Sequence, residues 1–164
     1  MTDCILIEDT REQNGYSFAF ATPCIRDGLN IGDYSVVGLQ DHIAVERKSL
    51  EDLIGSFTSG RKRFEAEFRR ARPLNFFAVV IEARISDLLL GNYRSSATPQ
   101  SVFESMNSWS VKFGRPFLFC ECREIAARTT ESLLLKYVRQ FTQAADDIRR
   151  ATKRSAYCLN SQQP

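Results

Sequence analysis

The chain has 164 residues, 43% of them apolar and 26% charged, with 22 Lys and Arg against 20 Asp and Glu for a formal net charge of +2. That is the size and composition of one globular domain with a real core, and it excludes a membrane-spanning helix, because no apolar run approaches ~20 residues. Met-Thr-Asp-Cys at the start has neither a basic region nor a cleavable apolar stretch, so an intracellular protein, cytoplasmic or nucleoid-associated, is expected, and so small a net charge cannot by itself argue for a nucleic-acid partner.

In chain order, residues 5–7 predict a first strand. Residues 29–37 and 42–47 predict a hairpin around the turn-forming Gly38-Leu39-Gln40-Asp41, which brings Asp33 beside Glu46. Residues 50–57 turn helical. A second helix begins at Ser59 or Gly60, carries Phe64, Phe68 and Ala71 at helical spacing, and is stopped by Pro73. The continuous β-favouring run 76–81 predicts a strand buried on both faces. A short helix over 86–90 follows, and Thr98, with Pro99 at the first helical position, opens another that carries Val102, Phe103, Met106, Trp109 and Phe113. Residues 116–120 predict a strand. Residues 123–148 predict the longest helix, striped with Leu133, Leu134, Tyr137, Val138 and Phe141. Strands alternating with helices predict an α/β fold, a mixed central sheet flanked by helices on both faces. One domain over 1–150 and a polar, unordered tail over 151–164 are expected.

The chemistry concentrates around Gly32-Asp33 and Glu46-Arg47-Lys48. Alternate residues of a strand point to one side, so Glu46 and Lys48 face a common site and Arg47 faces away. Two carboxylates, Asp33 and Glu46, are hard oxygen ligands that suit Mg²⁺ or Mn²⁺. Such an ion lowers the pKa of water and offsets charge on a reacting phosphate, and a lysine beside it orients the nucleophile, helps it lose its proton and adds positive charge. An isolated Glu-x-Lys is most often an ordinary solvated pair; the residues around it decide otherwise. Arg61, Lys62, Arg63, Arg69, Arg70 and Arg72 crowd the segment just after this motif, where phosphates would have to lie. Arg149, Arg150, Lys153 and Arg154 crowd the C-terminal end and read as a solvated helix face. The five cysteines lack paired metal-site spacing, and Cys120-x-Cys122 with the single histidine, His42, far away cannot complete a zinc site.

Gly32-Asp33-Tyr34, Val45-Glu46-Arg47-Lys48-Ser49, Asp52-Leu53, Ser56 and Gly60-Arg61 together resemble the G-D-x(n)-E-R-K-x-x-x-D signature of the XPF-type structure-specific endonucleases. Upstream, Ile7-Glu8-Asp9-Thr10-Arg11-Glu12 is similar to the acidic D-x-R-E element that opens that nuclease domain. Downstream, Tyr93-Arg94-Ser95 and Pro99-Gln100-Ser101 resemble the segment leading into the helix before its last strand. The resemblance covers residues 4–141. It implies a restriction-endonuclease-like core, metal ligation by Asp33 and Glu46 with Asp9 in the same shell, catalysis by Lys48 with Arg47, and support from Arg11, Glu12 and Asp52. It further implies Mg²⁺ or Mn²⁺ as cofactor, a role for Arg61 beside the phosphate contacts that the basic cluster predicts for Lys62, Arg63 and Arg69, and a homodimer or partner subunit seated on late helices through Val138 and Phe141.

The resemblance thus implies a metal-dependent endonuclease that cuts branched, flap or junction DNA in repair or recombination. Where the family often has Gln, this chain has Glu65, and the helix-hairpin-helix module or helicase of eukaryotic members does not fit in this length, so a stand-alone nuclease domain is expected. A four-way-junction resolvase is a reading from the same superfamily. A catalytically silent DNA-binding or dimer-partner subunit is the contrasting one; such subunits lose the acidic and lysine residues, and Asp33, Glu46, Lys48 and Asp52 are all present here.

Overall fold

The computed structural model describes residues 4–19 and 22–160. Six strands form one mixed sheet: β1 (Leu6–Asp9), β2 (Cys24–Asp27), β3 (Tyr34–Val36), β4 (Ile43–Lys48), β5 (Phe76–Ile81) and β6 (Phe117–Phe119), in the spatial order β2-β1-β3-β4-β5-β6. β3 runs antiparallel to both β1 and β4, while the β1/β2, β4/β5 and β5/β6 pairs are parallel. The helices are α1 (Leu50–Phe57), α2 (Arg61–Arg70), α3 (Ile85–Leu89), α4 (Pro99–Phe113) and α5 (Arg123–Asn160).

Period-two alternation sorts the sheet into two faces. On one, Ala44, Phe77, Val79 and Ile81 pack with Leu53 and Phe57 of α1, Phe64 and Phe68 of α2, and Met106 and Trp109 of α4. On the other, Tyr34, Val36, Val45 and Val80 pack with Ala126, Leu134 and Val138 of α5. β5 therefore has apolar residues at every position, as a strand covered on both sides requires. Phe57 and Phe68 meet the Trp109 indole edge to face at 5.0 and 5.3 Å, and Phe64 meets it tilted at 5.4 Å, geometries that add to plain area burial. Aromatic side chains here fill the core.

Local signals act where the sequence places them. Ser49 caps α1 by accepting from the Asp52 amide, and Thr98 caps α4 by accepting from the Ser101 amide, with Pro99 at its start and Gly114, at φ 65°, ending it. Three elements differ from expectation. β2 was not anticipated: it is four exposed residues, two of them charged, so it carries no apolar pattern and is held as a parallel edge against β1. The first hairpin arm is shorter than 29–37, because Gly32 takes φ 73° and breaks the strand before Tyr34. α5 runs on from the expected end at 148 to Asn160, carrying the helix into the segment expected as an unordered tail. That stretch contains neither Gly nor Pro, and Asp146–Arg149 and Asp147–Arg150 pairs support it one turn apart. Residues 161–164 of that segment lie outside the described residues.

The two residues expected at a partner surface separate. Val138 is only 7% exposed and belongs to the core against the sheet, because its side of α5 faces β4 and β5; Phe141 is 41% exposed, its ring 5.2 Å from that of His42. Among the described residues no helix is long and apolar enough to cross a membrane.

Gly32 is where the fold meets the site. Besides its positive φ, a Cβ there would lie 3.0 Å from both the Ala44 Cβ and the Val45 carbonyl oxygen. Gly32→Ala should therefore lower stability by about 2 kcal/mol, read as a fall in the denaturation midpoint. The same substitution at Gly38, whose φ of 81° is equally positive but which has nothing within 4 Å, should cost less.

Candidate active site

The close crossing at Gly32 lets the Asp33 amide donate to the Val45 carbonyl at 2.9 Å, and the Arg47 amide donates back to Asp33 Oδ2 at 2.7 Å. Asp33 is thereby fixed at the end of β4, on the face that carries Glu46 and Lys48. The Glu46 carboxylate accepts from Lys48 Nζ, and these side chains are 7% and 16% exposed. Lys48 Nζ also lies 5.3 Å from the centre of the Phe64 ring, so α2 roofs the pair. The structure thus brings Asp33, Glu46 and Lys48 together.

Electrostatics make this a strained set of charges. Burial, then repulsion from Glu46, pushes Asp33 up to about 7 against the relief given by the Arg47 amide and Lys48. Burial also raises Glu46; the Lys48 ammonium opposes the rise and a further carboxyl, Glu67 on α2, adds to it. For Lys48, burial works against the charge, but the ion pair with Glu46 outweighs it and holds the ammonium above its ordinary range. Lys48 is therefore a fixed positive donor in this state, not a proton acceptor. Two oxygen-donor carboxylates held off ionisation chiefly by burial, and further by neighbouring carboxyls, fit a divalent cation such as Mg²⁺, which offsets their charge and usually leaves several positions to water and substrate phosphate. No group of three or more His, Cys, Asp or Glu side chains among the described residues is placed to hold an ion by itself.

The remaining predicted residues are placed as supports. Asp9 does not present a free ligand: its Oδ1 accepts from the Arg11 amide and Nε, each at 2.7 Å, and its Oδ2 from Arg11 Nη2 at 3.0 Å and the Leu29 amide at 2.7 Å. Burial alone would raise its pKa, but these donors bring it below the usual value. Asp9 and Arg11 thus brace the start of the segment that delivers Gly32. Arg47 is on the other face of β4, its fork closed on Glu82 by two 2.8 Å bonds, with Nη1 3.6 Å from Glu12. It is an organiser, with no free fork for phosphate. Asp52 shares the α1 cap, accepting from Ser49 Oγ at 2.6 Å.

Arg61, Lys62, Arg63 and Arg69 are all exposed on α2. Arg61 lies 5.4 Å from the Trp109 ring and donates to Ser105, and Arg69 pairs with Glu65, which also takes Lys112. Arg63 is one helical turn from Glu67 on α2, and Lys62 adjoins it.

Two acidic residues escaped the sequence reading. Glu67 lies within hydrogen-bond reach of Glu46; its signal was a charge just before Phe68, at the margin of the apolar face of α2, where a solvated residue would look the same. Glu82 follows the buried run of β5 and receives both Arg47 and Arg123. Its signal was an acid directly beyond a strand that pairs in parallel with the motif strand, Lys48 opposite Ile81.

A mixed sheet whose middle strands end in two carboxylates and a lysine, with helices on both faces, is the restriction-endonuclease-like fold. Residues 8–133 match the ERCC4 domain, and the chain belongs to the ERCC4 domain family. Two solved structures are similar: XPF from Aeropyrum pernix, 21% identical with a TM-score of 0.66 over 81% of this chain and 61% of that one, and the same protein in complex with DNA, 20% identical with a TM-score of 0.66 over 84% and 66%. The chain thus spans less than two thirds of those XPF chains. No curated protein matches it.

The raised pKa of Asp33 has a sign that can be measured. The folded state binds this proton more tightly than the unfolded chain, so in metal-free protein the associated stability is present below about pH 4 and is lost as pH rises to about 7. Asp33→Asn keeps an acceptor for the Arg47 amide and removes the charge. It should stabilise the metal-free protein at pH 8 by on the order of 4 kcal/mol, read as a higher melting temperature, and leave it nearly unchanged at pH 4.

Proposed function

We propose that this chain is a metal-dependent DNA endonuclease, using Mg²⁺ or Mn²⁺ to hydrolyse phosphodiester bonds of branched, flap or junction DNA in intracellular repair or recombination. The observation that carries this reading is the convergence of Asp33, Glu46 and Lys48 on one face at the end of β4. Membership in the ERCC4 domain family and the existence of a similarly folded XPF in complex with DNA support it.

Asp33 and Glu46 would hold the ion, which when bound supplies Lewis acidity toward water and the scissile phosphate. Lys48, kept protonated by Glu46, contributes a positioned donor and positive charge where the phosphate oxygens gain negative charge. The Phe64 roof and the buried setting strengthen that charge by keeping bulk water away. Lys62 and Arg63 extend the positive surface along α2 and steer the backbone of the duplex toward the strand end. For a partner subunit, Phe141 is the residue of the expected pair left open to contact.

Asp33→Ala and Lys48→Ala should each reduce cleavage at least about 100-fold on a panel of labelled flaps, forks, bubbles and four-way junctions in Mg²⁺ or Mn²⁺, while the fold persists by circular dichroism. Cleavage equal to the parent in either variant would refute the assignment. DNA binding without cleavage of any panel member would instead favour the silent-subunit reading. Lys62→Ala with Arg63→Ala should weaken binding evenly across the panel and reduce the slope of log affinity against log salt by about 2; an unchanged slope would remove these residues from the interface.

A further inference from the structure

The face of β4 away from the proposed metal ligands carries a second charged assembly that the chemistry above does not use. Glu82 is its hub. Its carboxylate accepts from Arg47 Nε and Nη2, each at 2.8 Å, and from Arg123 Nη1 at 2.9 Å. Its own amide donates to the Lys48 carbonyl at 2.9 Å. One residue therefore grips both the side chain of Arg47 and the backbone of Lys48, and the Arg47 amide is the group that fixes Asp33.

Arg123, the first residue of α5, extends the grip to a loop. Its Nη2 donates to the carbonyls of Asn14 and Gly15, the latter at 2.6 Å, and its guanidinium lies 5.0 Å from the Tyr16 ring. Tyr16 stacks on Tyr34 at 4.9 Å, and its amide donates to the Tyr34 hydroxyl at 3.0 Å. At Gly15 the loop lies directly against the Glu8 carboxylate, which would have to move to admit a Cβ there. The same loop delivers Glu12 to within 3.6 Å of Arg47. Planar guanidinium forks are suited to such multi-partner contacts in a way an ammonium is not.

We propose that Glu82 and Arg123 are positioning residues of the active site, a latch that fixes the strand end bearing Glu46 and Lys48 and closes the 10–16 loop against it. The catalytic consequence rests on the nuclease reading above; the latch itself does not. Misplacing reacting groups by an ångström costs on the order of 100-fold in rate without loosening substrate binding. The latch thus acts on the chemical step, and its loss should leave DNA affinity alone.

The test uses Glu82→Gln, Arg123→Gln and Arg123→Lys in the full chain, with single-turnover cleavage, DNA affinity as a function of salt, and hydrogen exchange resolved by segment. Both Gln variants should lower the single-turnover rate by about 10- to 100-fold, with DNA affinity within about twofold of the parent and an unchanged salt slope. Exchange should accelerate at 11–16 and 46–48 but not in β5. Arg123→Lys can keep one bond to Glu82 but cannot fork to the loop, so it should speed exchange at 11–16 while leaving 46–48 close to the parent. If Glu82→Gln fails to fold, the Arg123 pair decides the matter, since that side chain is at the surface edge of the network.

Unaltered exchange in both segments overturns the latch. Faster exchange with a parental cleavage rate overturns its role in positioning, and a rate loss matched by weaker, less salt-dependent binding makes Arg123 a phosphate contact instead. A parent protein that cuts no DNA sinks the nuclease reading, and the exchange measurements still decide the latch.

Discussion

Two amide hydrogen bonds at one crossing of the chain govern the rest of the site. Asp33 donates to Val45 and Arg47 donates to the Asp33 carboxylate, and neither bond can form unless the backbone at residue 32 comes within contact of Ala44 and Val45. Only a residue without a Cβ permits that approach at φ 73°. The Gly-Asp pair is thus one structural unit. Glycine supplies the closeness, and aspartate converts it into a carboxylate held at a defined place on the strand end.

From this crossing the alternation of β4 divides the charges. Glu46 and Lys48 enter the α2 face, where the aromatic core keeps them nearly dry, and Arg47 enters the opposite face with Glu12, Glu82 and Arg123. The two faces are treated differently. On the Arg47 side each charge has an opposite partner, forming a satisfied network of the kind that rigidifies. On the Glu46 side, Asp33, Glu46 and Glu67 share a single ammonium, and burial first, then the neighbouring carboxyls, raise the pKa of both Asp33 and Glu46. A balanced face behind an unbalanced one is the arrangement expected of a rigid support beneath a reactive surface.

Much of this was legible in the sequence, because the signals were local or periodic. Thr98-Pro99, the run of β5 and the spacing of Phe64 and Phe68 each specify their element without reference to anything distant. The Glu46/Lys48 pairing followed from strand alternation alone. What escaped depended on partners far apart in the chain. β2 has no apolar face to announce it and exists by pairing with β1. Glu82 and Arg123 acquire meaning only when parallel pairing sets the end of β5 beside Lys48 and α5 crosses above. Asp9, expected among the ligands, is instead saturated by Arg11 and Leu29, since a D-x-R sequence lets the arginine fold back on its own aspartate. The stretch after 148 opens on Arg149, Arg150, Lys153 and Arg154, and its sequence carries no apolar periodicity to announce a helix.

The protonation state of Lys48 limits what the protein can do alone. With Glu46 bound to it and Asp33 and Glu67 close by, its ammonium loses its proton less readily than a free lysine. In the metal-free protein the lysine is therefore held as an ammonium, a fixed donor to the Glu46 carboxylate. Its ammonium is a fixed positive charge beside two carboxyls that burial keeps from ionising readily. In water such a pair would be weakened by solvent, whereas burial against Phe64 keeps each partner fixed and leaves the surplus carboxyls of the site without a second cation of the chain's own beside them among the described residues.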